Sequence, residues 1–441
     1  MAGGLTTLKN NRQLTRRGLR LLLVSQYFPP EVGAPQARLS EMARYWARKG
    51  VEVTVLTGMP NHPSGVIHPE YQGALRRVEV KDGYRIVRTW LYATPNEGFL
   101  RKTLCHLSFM FTGFLLGWRK TGGQDVVIVS SPTFFSIATA WAISRIKRAK
   151  FVVEVRDLWP SIFVELGVLT NPTIIRILEA LELAAYRAAD EVVVVTRGFK
   201  RHIVDRGIDE GKVHVIPNGV DTIAFKPGGT TESDNWRKVH GFDETDVLVV
   251  YIGAHGISQK LSTVLHAAQA VQSSRVQFVL VGEGAEKAAL QREAAALGLD
   301  NVTLLPAVPR DQVATILGAS DICLVSLKDI PLFSTFIPSK MFEYMAVGKP
   351  VIGCVCGESA DILKDAGCEV VPPESARDLA VSIDALADDP IGRERMGQAA
   401  RRYVMTHFNR EVLAESYREL LINTAGGSLE ETNQRTHDLS L

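Results

Sequence analysis

The chain of 441 residues predicts an α/β protein of two doubly wound lobes in tandem, each a parallel sheet covered by helices. Three observations carry that expectation. Apolar runs of strand length alternate with stretches of helical spacing, the pattern of strand–helix units feeding a parallel sheet. The alternation breaks at "FKPGGTTESDNWRKVHGFDETD", rich in Gly, Thr, Ser and charge, and then restarts. The length also exceeds what one ordinary core accommodates.

The elements follow in order. "RLLLVSQYF" is continuously apolar, as a strand buried on both faces must be. After Pro29, Pro30 and Gly33, the residues Leu39, Met42, Ala43, Trp46 and Ala47 recur at helical spacing, and Lys49-Gly50 supplies a stop. "VEVTVLTG" is the next strand, and "RRVEVKDGYRIVRTW" reads as a hairpin turning at Asp82-Gly83. "DVVIVSSP", "KFVVEVRD", "DEVVVVT" and "VHVIPNG" complete the first lobe. The second runs through "VLVVYIG", "VQFVLVGEG", "VTLLPA", "ICLVSL", "PVIGCV" and "CEVVPP". A last helical stretch, Arg410 to Asn423, lies beyond a bend at His407-Phe408. The expected organisation is a disordered basic tail over 1–19, a first lobe over 20–225 and a linker region over 226–245. A second lobe over 246–406, a helix over 407–425 returning toward the first lobe, and a disordered tail over 426–441 follow. Ligands of such sheets bind outside the strands' carboxyl ends, so the interdomain cleft is the expected site.

Composition narrows the class. Hydrophobic residues make up 46% and charged ones 22%, as in a globular protein. Fifty basic against 48 acidic residues leave a net charge of +2, which argues against a nucleic-acid partner. The five cysteines show no CxxC spacing and read as ordinary thiols of a reducing, cytoplasmic compartment. "TRRGLRLLLV" resembles a twin-arginine signal only faintly, because Tyr27-Phe28-Pro29-Pro30 ends its short apolar run.

The chemistry-bearing residues gather in the second lobe. In "PSKMFEYMAVGKP" (Pro338 to Pro350), Pro338 suits a first helical turn and Lys340 and Glu343 share one helical face. A helix start after a strand favours anions, Lys340 adds charge, and Glu343 can accept from a ribose diol. Gly282-Glu283-Gly284 ends another strand with the backbone freedom that close ligand approach needs. The plainer reading makes Glu283 a helix-start carboxylate and Gly348 a helix stop.

On "VIPNGVD", "VGEG" and "FEYMAVGKPVI" the sequence resembles the retaining glycosyltransferases of family 4, with the GT-B fold, from Arg20 to Asn423. The resemblance implies a nucleotide-sugar donor and no cofactor. It implies a donor set of Gly33, Gly253, His255, Lys260, Gly282, Glu283, Thr335, Ile337, Pro338, Lys340 and Glu343, with Glu343 on the ribose as second glutamate of an E-x7-E pair. "GMPNHPSG" and "VRDLWP" are similar to one branch, bacterial polysaccharide and O-antigen transferases of the N-acetylfucosaminyltransferase type, which handle N-acetylated 6-deoxy sugars, and this favours UDP. There are departures. The first glutamate of the pair falls at Thr335, leaving its role to backbone groups of "FSTFIP". The usual Arg and Lys of a G-R-x5-K-G motif fall at Ala254 and Gln259, so Lys260 and Lys340 become the candidates for phosphate charge. A first-lobe His-Asp appears as Arg156-Asp157, either a phosphate or acceptor ligand or a plain salt bridge. His62 and His255 are the ionisable alternatives, and Lys340, Arg156, Asp157 and His62 form the catalytic candidates.

No Asp-x-Asp occurs, so no metal is expected, and front-face transfer assisted by the leaving phosphate requires mainly positioning and charge stabilisation. The alternatives are a sugar-nucleotide epimerase of the same fold, which would isomerise donor alone, and a non-catalytic two-lobed sugar-binding protein. "TLCHLSFMFTGFLLGW", between Arg101-Lys102 and Arg119-Lys120, is shorter than the roughly 20 apolar residues of a membrane span. It reads as a core helix or as an interfacial segment on anionic lipid. With a lipid-linked glycan acceptor implied by the resemblance, the expectation is a peripheral protein on the inner membrane face.

Overall fold

The computed structural model describes residues 18–427 apart from 32, 63, 96–98, 132–133 and 229. The basic and carboxyl-terminal tails expected from the sequence lie outside the described residues but for Gly18, Leu19, Gly426 and Gly427. The chain divides into two compact units. Unit 1 takes residues up to Val195, Phe199–Pro217 and Glu411 onward; unit 2 takes Thr196–Gly198 and Asn218–Arg410.

Unit 1 is built on eight strands: β1 (Arg20–Val24), β2 (Glu52–Gly58), β3 (Arg76–Lys81), β4 (Tyr84–Thr89), β5 (Val126–Ser130), β6 (Lys150–Val155), β7 (Glu191–Val194) and β8 (Val213–Val215). Their order is β3-β4-β2-β1-β5-β6-β7-β8. All pairs are parallel except the β3–β4 hairpin. Asp82 and Gly83 turn that hairpin with φ of 51° and 83°, the left-handed pair that a tight two-residue turn requires. The central strands are mostly apolar because helices cover both sheet faces, with Thr54, Ser130 and Glu154 among the buried exceptions.

The Ala34–Arg48 helix buries Leu39, Met42, Ala43 and Trp46 against β1 and β2. Ala414, Tyr417 and Leu421 of the Arg410–Thr424 helix join the same cluster, and Trp46 Nε1 donates to the Ala414 carbonyl at 2.8 Å. Beneath them Arg38, wholly enclosed, pairs with Glu154 at 3.0 Å and donates to the Pro217 and Ile216 carbonyls. Ser130 Oγ donates to the other Glu154 oxygen at 2.7 Å. Every charge in this knot has a partner, the condition under which a buried ion pair is tolerated.

Unit 2 holds β9 (Val247–Ile252), β10 (Val276–Val281), β11 (Val302–Leu305), β12 (Ile322–Ser326), β13 (Val351–Cys354) and β14 (Glu369–Val371). All are parallel, in the order β11-β10-β9-β12-β13-β14. The winding reverses between β9 and β12, and the loops after these strands form the crevice where such sheets take ligands.

The segment expected as a linker carries a helix, Thr230–Val239. Trp236 and Phe242 pack on Leu248 and Val250, and Arg237 pairs with Asp321 at 3.1 Å. One aromatic anchors this helix where an apolar stripe usually would, so its sequence reads as polar connector.

Candidate functional site

In unit 2 the loops after β9 and β10 pack backbone on backbone. A Cβ on Gly282 would lie 1.9 Å from the Gly253 carbonyl oxygen, and one on Gly284 would lie 2.2 Å from that of His255. These glycines let the loops after β9 and β10 touch, with His255 N donating to the Glu283 carbonyl at 2.9 Å. The freedom that the sequence reading assigned to ligand approach at Gly282-Glu283-Gly284 is used by this packing. Glu283 points to Lys287 at 2.6 Å, and that hydrogen bond pulls its carboxyl below the usual range.

Lys340 opens a helix of seven residues, Lys340–Ala346, so Pro338 lies ahead of it rather than in its first turn; the Pro338 carbonyl accepts from Met341 N at 3.1 Å. The Lys340 ammonium sits over the Tyr251 ring, 3.7 Å from its centroid, and donates to the Tyr251 hydroxyl, which donates to the Ala254 carbonyl. Burial lowers the Lys340 pKa to about 7, against a raising influence of Glu343. Glu343 pairs with Arg310 at 3.0 Å, and the guanidinium also covers the Phe225 ring. Tyr344 locks the helix to β9 through both backbone groups of Ile252. His255 is wholly buried, with a ring 6.0 Å from that of Tyr251, and neither imidazole nitrogen makes a hydrogen bond of good geometry. Burial first, then Lys287 and Lys340, bring its pKa to about 4.

Four further donor candidates take no part in these contacts. Lys260 has a left-handed backbone, φ 46°, and lines a separate groove of about 370 Å³ with Gly256, Ile257, His266, Glu293 and Lys328. Thr335 spends its hydroxyl on the Leu332 carbonyl at 2.7 Å, while Ile337 is buried. Gly33, in unit 1, caps the Ala34–Arg48 helix.

Unit 1's carboxyl edge has a different make-up. Buried Glu31 gathers the loops after β1 and β2, accepting from the backbone N–H of Phe28, Asn61 and His62 at 2.8–3.1 Å. His62 faces Tyr27, ring centroids 5.3 Å apart, and its pKa is lowered by burial and then by Lys102. His106 holds Gln26 Oε1 at 2.7 Å through Nδ1, and burial and then Lys102 bring its pKa to about 4. Arg156 and Asp157 follow β6, beside Trp159, which stacks on Phe134 at 4.4 Å. β1 and β5 stand between β2, whose following loop carries His62, and β6, which Arg156 follows, roughly 14 Å of sheet. Tyr27, His106, Tyr251, Arg310 and the Trp159–Phe134 pair escaped the sequence reading. The one signal for them was aromatic residues at strand ends, in "SQYFPP" and "VVYIGAH".

The Phe99–Thr112 helix has two faces. Cys105 and Phe109 are buried, with Lys102 and His106 on the same inward side. Leu100, Phe111 and Leu115 stand 72%, 58% and 67% exposed in one outward row with Leu104. Lys102 thus turns away from the surface where the sequence reading had it meet headgroups. Its phase, shared with Cys105 and His106, decides this. No helix among the described residues is long and apolar enough to cross a membrane.

Two Rossmann-like lobes with these sheet orders define the GT-B class of glycosyltransferase fold. Sucrose-phosphate synthase from Thermosynechococcus elongatus superposes with a TM-score of 0.73 at 20% identity, over 92% of this chain and 100% of that one. Anabaena HepE in complex with UDP and glucose gives 0.68 at 16% identity, over 92% and 100%. Residues 33–219 match the glycosyl transferase 4-like domain and residues 232–403 match glycosyl transferases group 1. The chain belongs to the family 4/group 1 superfamily of glycosyltransferases. Among curated relatives, Escherichia coli K12 WcaI, named as a glycosyl transferase of colanic acid biosynthesis, is 24% identical over 335 residues, 75% of this chain and 82% of WcaI.

Proposed function

We propose that the protein is a retaining glycosyltransferase of cell-surface polysaccharide synthesis. It moves an N-acetylated 6-deoxyhexose from a UDP-linked donor to a lipid-linked glycan at the inner membrane face. The carrying observation is the unit 2 crevice, where among the described residues Lys340 has no carboxylate within ion-pair distance and Glu343 and Arg310 stand together, one fit for a diphosphate and the other for a ribose. The names of WcaI and of the UDP-bound HepE support the polysaccharide setting and the nucleotide. The outward row of Leu100, Leu104, Phe111 and Leu115, with exposed Arg101, Arg119 and Lys120 along the same segment, supports the membrane partner.

With Thr335 in place of a carboxylate, charge stabilisation of the departing diphosphate drives the reaction. Arg156, Asp157 and His62 then serve the acceptor. The test is incubation with UDP-sugars and a polyprenyl-diphosphate-linked sugar, reading the product's anomeric configuration by NMR. A product with the donor's configuration supports the proposal; isomerised donor without transfer makes the protein an epimerase.

A further inference from the structure

Arg38 and Arg310 each hold a carboxylate, at 3.0 Å in both cases, but among the described residues Lys340 has none within ion-pair distance. Its nearest carboxylate along the helix, Glu343, is taken by Arg310. Its ammonium rests on the Tyr251 ring and hydroxyl instead, beside Gly253, where a Cβ would lie 2.5 Å from Nζ. His255, wholly buried, approaches the same ring and leaves both imidazole nitrogens without a well-formed hydrogen bond. A wholly buried imidazole and a half-buried ammonium, neither with a carboxylate within ion-pair distance among the described residues, make a site suited to an anion, because a shielded charge left unpaired is costly.

Taking the unit 2 crevice as the donor site, as proposed above, we infer that Lys340 and His255 form its diphosphate seat and that the ligand brings protons with it: Lys340 is charged by the anion it binds. The groups facing the pair are few. Lys340 meets Tyr251 and His255 from β9 and its loop, and Glu343 from its own helix. His255 meets Lys340, Lys287 of the Lys287–Ala296 helix, Glu283, and the Val281 carbonyl. Lys287 is already bound to Glu283 and two carbonyls, so it adds repulsion and no free donor to the seat. Lys260 lines its own groove and takes no part.

The sign follows from the free state. With burial lowering Lys340 to about 7, most of it is neutral at pH 8, and a diphosphate that raises its affinity for protons draws a large part of one proton from solvent onto Nζ. No covalent bond changes. Affinity for the nucleotide weakens about tenfold per pH unit above 7, until the pKa of the complex is reached.

The experiment is isothermal titration calorimetry of the full-length chain at pH 8 in HEPES and in Tris, whose ionisation heats differ. The probes are UDP and GDP, the tighter being carried forward with its own nucleoside. Proton uptake amounting to a large part of one proton per nucleotide, with none for the nucleoside, is the expected result. Lys340→Arg should bind the nucleotide with no uptake, since a guanidinium stays charged throughout. His255→Gln should weaken the nucleotide about threefold and leave the nucleoside unchanged. Nucleotide binding with no proton uptake in the wild type overturns the inference and leaves the donor reading standing. Unchanged uptake in Lys340→Arg, or equal uptake with the nucleoside, also overturns it. Equal weakening of nucleotide and nucleoside in His255→Gln removes His255 from the seat. If neither nucleotide binds at millimolar concentration, the donor reading falls as well.

Discussion

Arg38 in unit 1, buried, and Lys340 in unit 2, half-buried, are both cations at a parallel sheet's carboxyl edge, and they are treated in opposite ways. Arg38 is enclosed by Glu154 and two carbonyls and has nothing left to offer a ligand. Lys340 lies on an aromatic ring with no carboxylate within ion-pair distance among the described residues, and the carboxylate a turn away is held elsewhere. The first arrangement stabilises a fold. The second gives up stability and keeps a charge available, which is how binding sites differ from cores.

Breaking the satisfied cation should have the largest effect. Glu154→Gln leaves Arg38 buried beside a neutral partner and should lower unfolding free energy by about 3–5 kcal/mol in a urea titration. Lys340→Met should do the reverse, leaving the urea midpoint unchanged or higher while weakening UDP by about 10–150-fold and uridine hardly at all, since charged hydrogen bonds contribute about 1.5–3 kcal/mol. A fall in stability matching that of Glu154→Gln would erase the contrast.

The same lysine sets a pH dependence. Its folded pKa lies near 7 against 10.5 for a free side chain, so between these values the unfolded chain binds more protons. This group's contribution therefore makes the protein more stable as pH rises from 7 toward 10.5, and Lys340→Met should flatten that part of the profile. Glu343→Gln should cost about 1.5–3 kcal/mol of ribonucleotide affinity with folding retained. A 2′,3′-dideoxynucleotide should then bind wild type and variant alike; discrimination kept by the variant would take Glu343 off the ribose. The smallest change in stability belongs to the outward face of the Phe99–Thr112 helix. Leu104→Glu with Phe111→Glu should shift stability by no more than about 0.5 kcal/mol per site yet abolish co-sedimentation with anionic vesicles at low salt. Vesicle binding that survives would remove this face from the membrane account.

The sheets were legible in the sequence because strands buried on both faces must be apolar runs, and each expected strand appears where such a run was quoted, from Arg20–Val24 to Glu369–Val371. The hairpin was legible in Asp-Gly. Lys340 and Glu343 were found through their helical spacing, which is local information. What escaped was long-range: that Arg310 takes Glu343, that Tyr251 underlies Lys340, and that Gly282 is filled by Gly253. No period or spacing encodes which side chain a distant loop delivers. Lys102 shows the same limit, since a flanking cation reads as solvent-facing until the phase of its helix on the core is known.

The claim that unit 2's edge takes the nucleotide is tested most directly by amide hydrogen exchange on the full chain with and without UDP. Protection should rise in the loops 253–259 and 282–286 and in the turn at 337–343, with 26–33 and 59–65 changing less. Protection confined to the unit 1 loops, with the unit 2 loops unchanged, would contradict it.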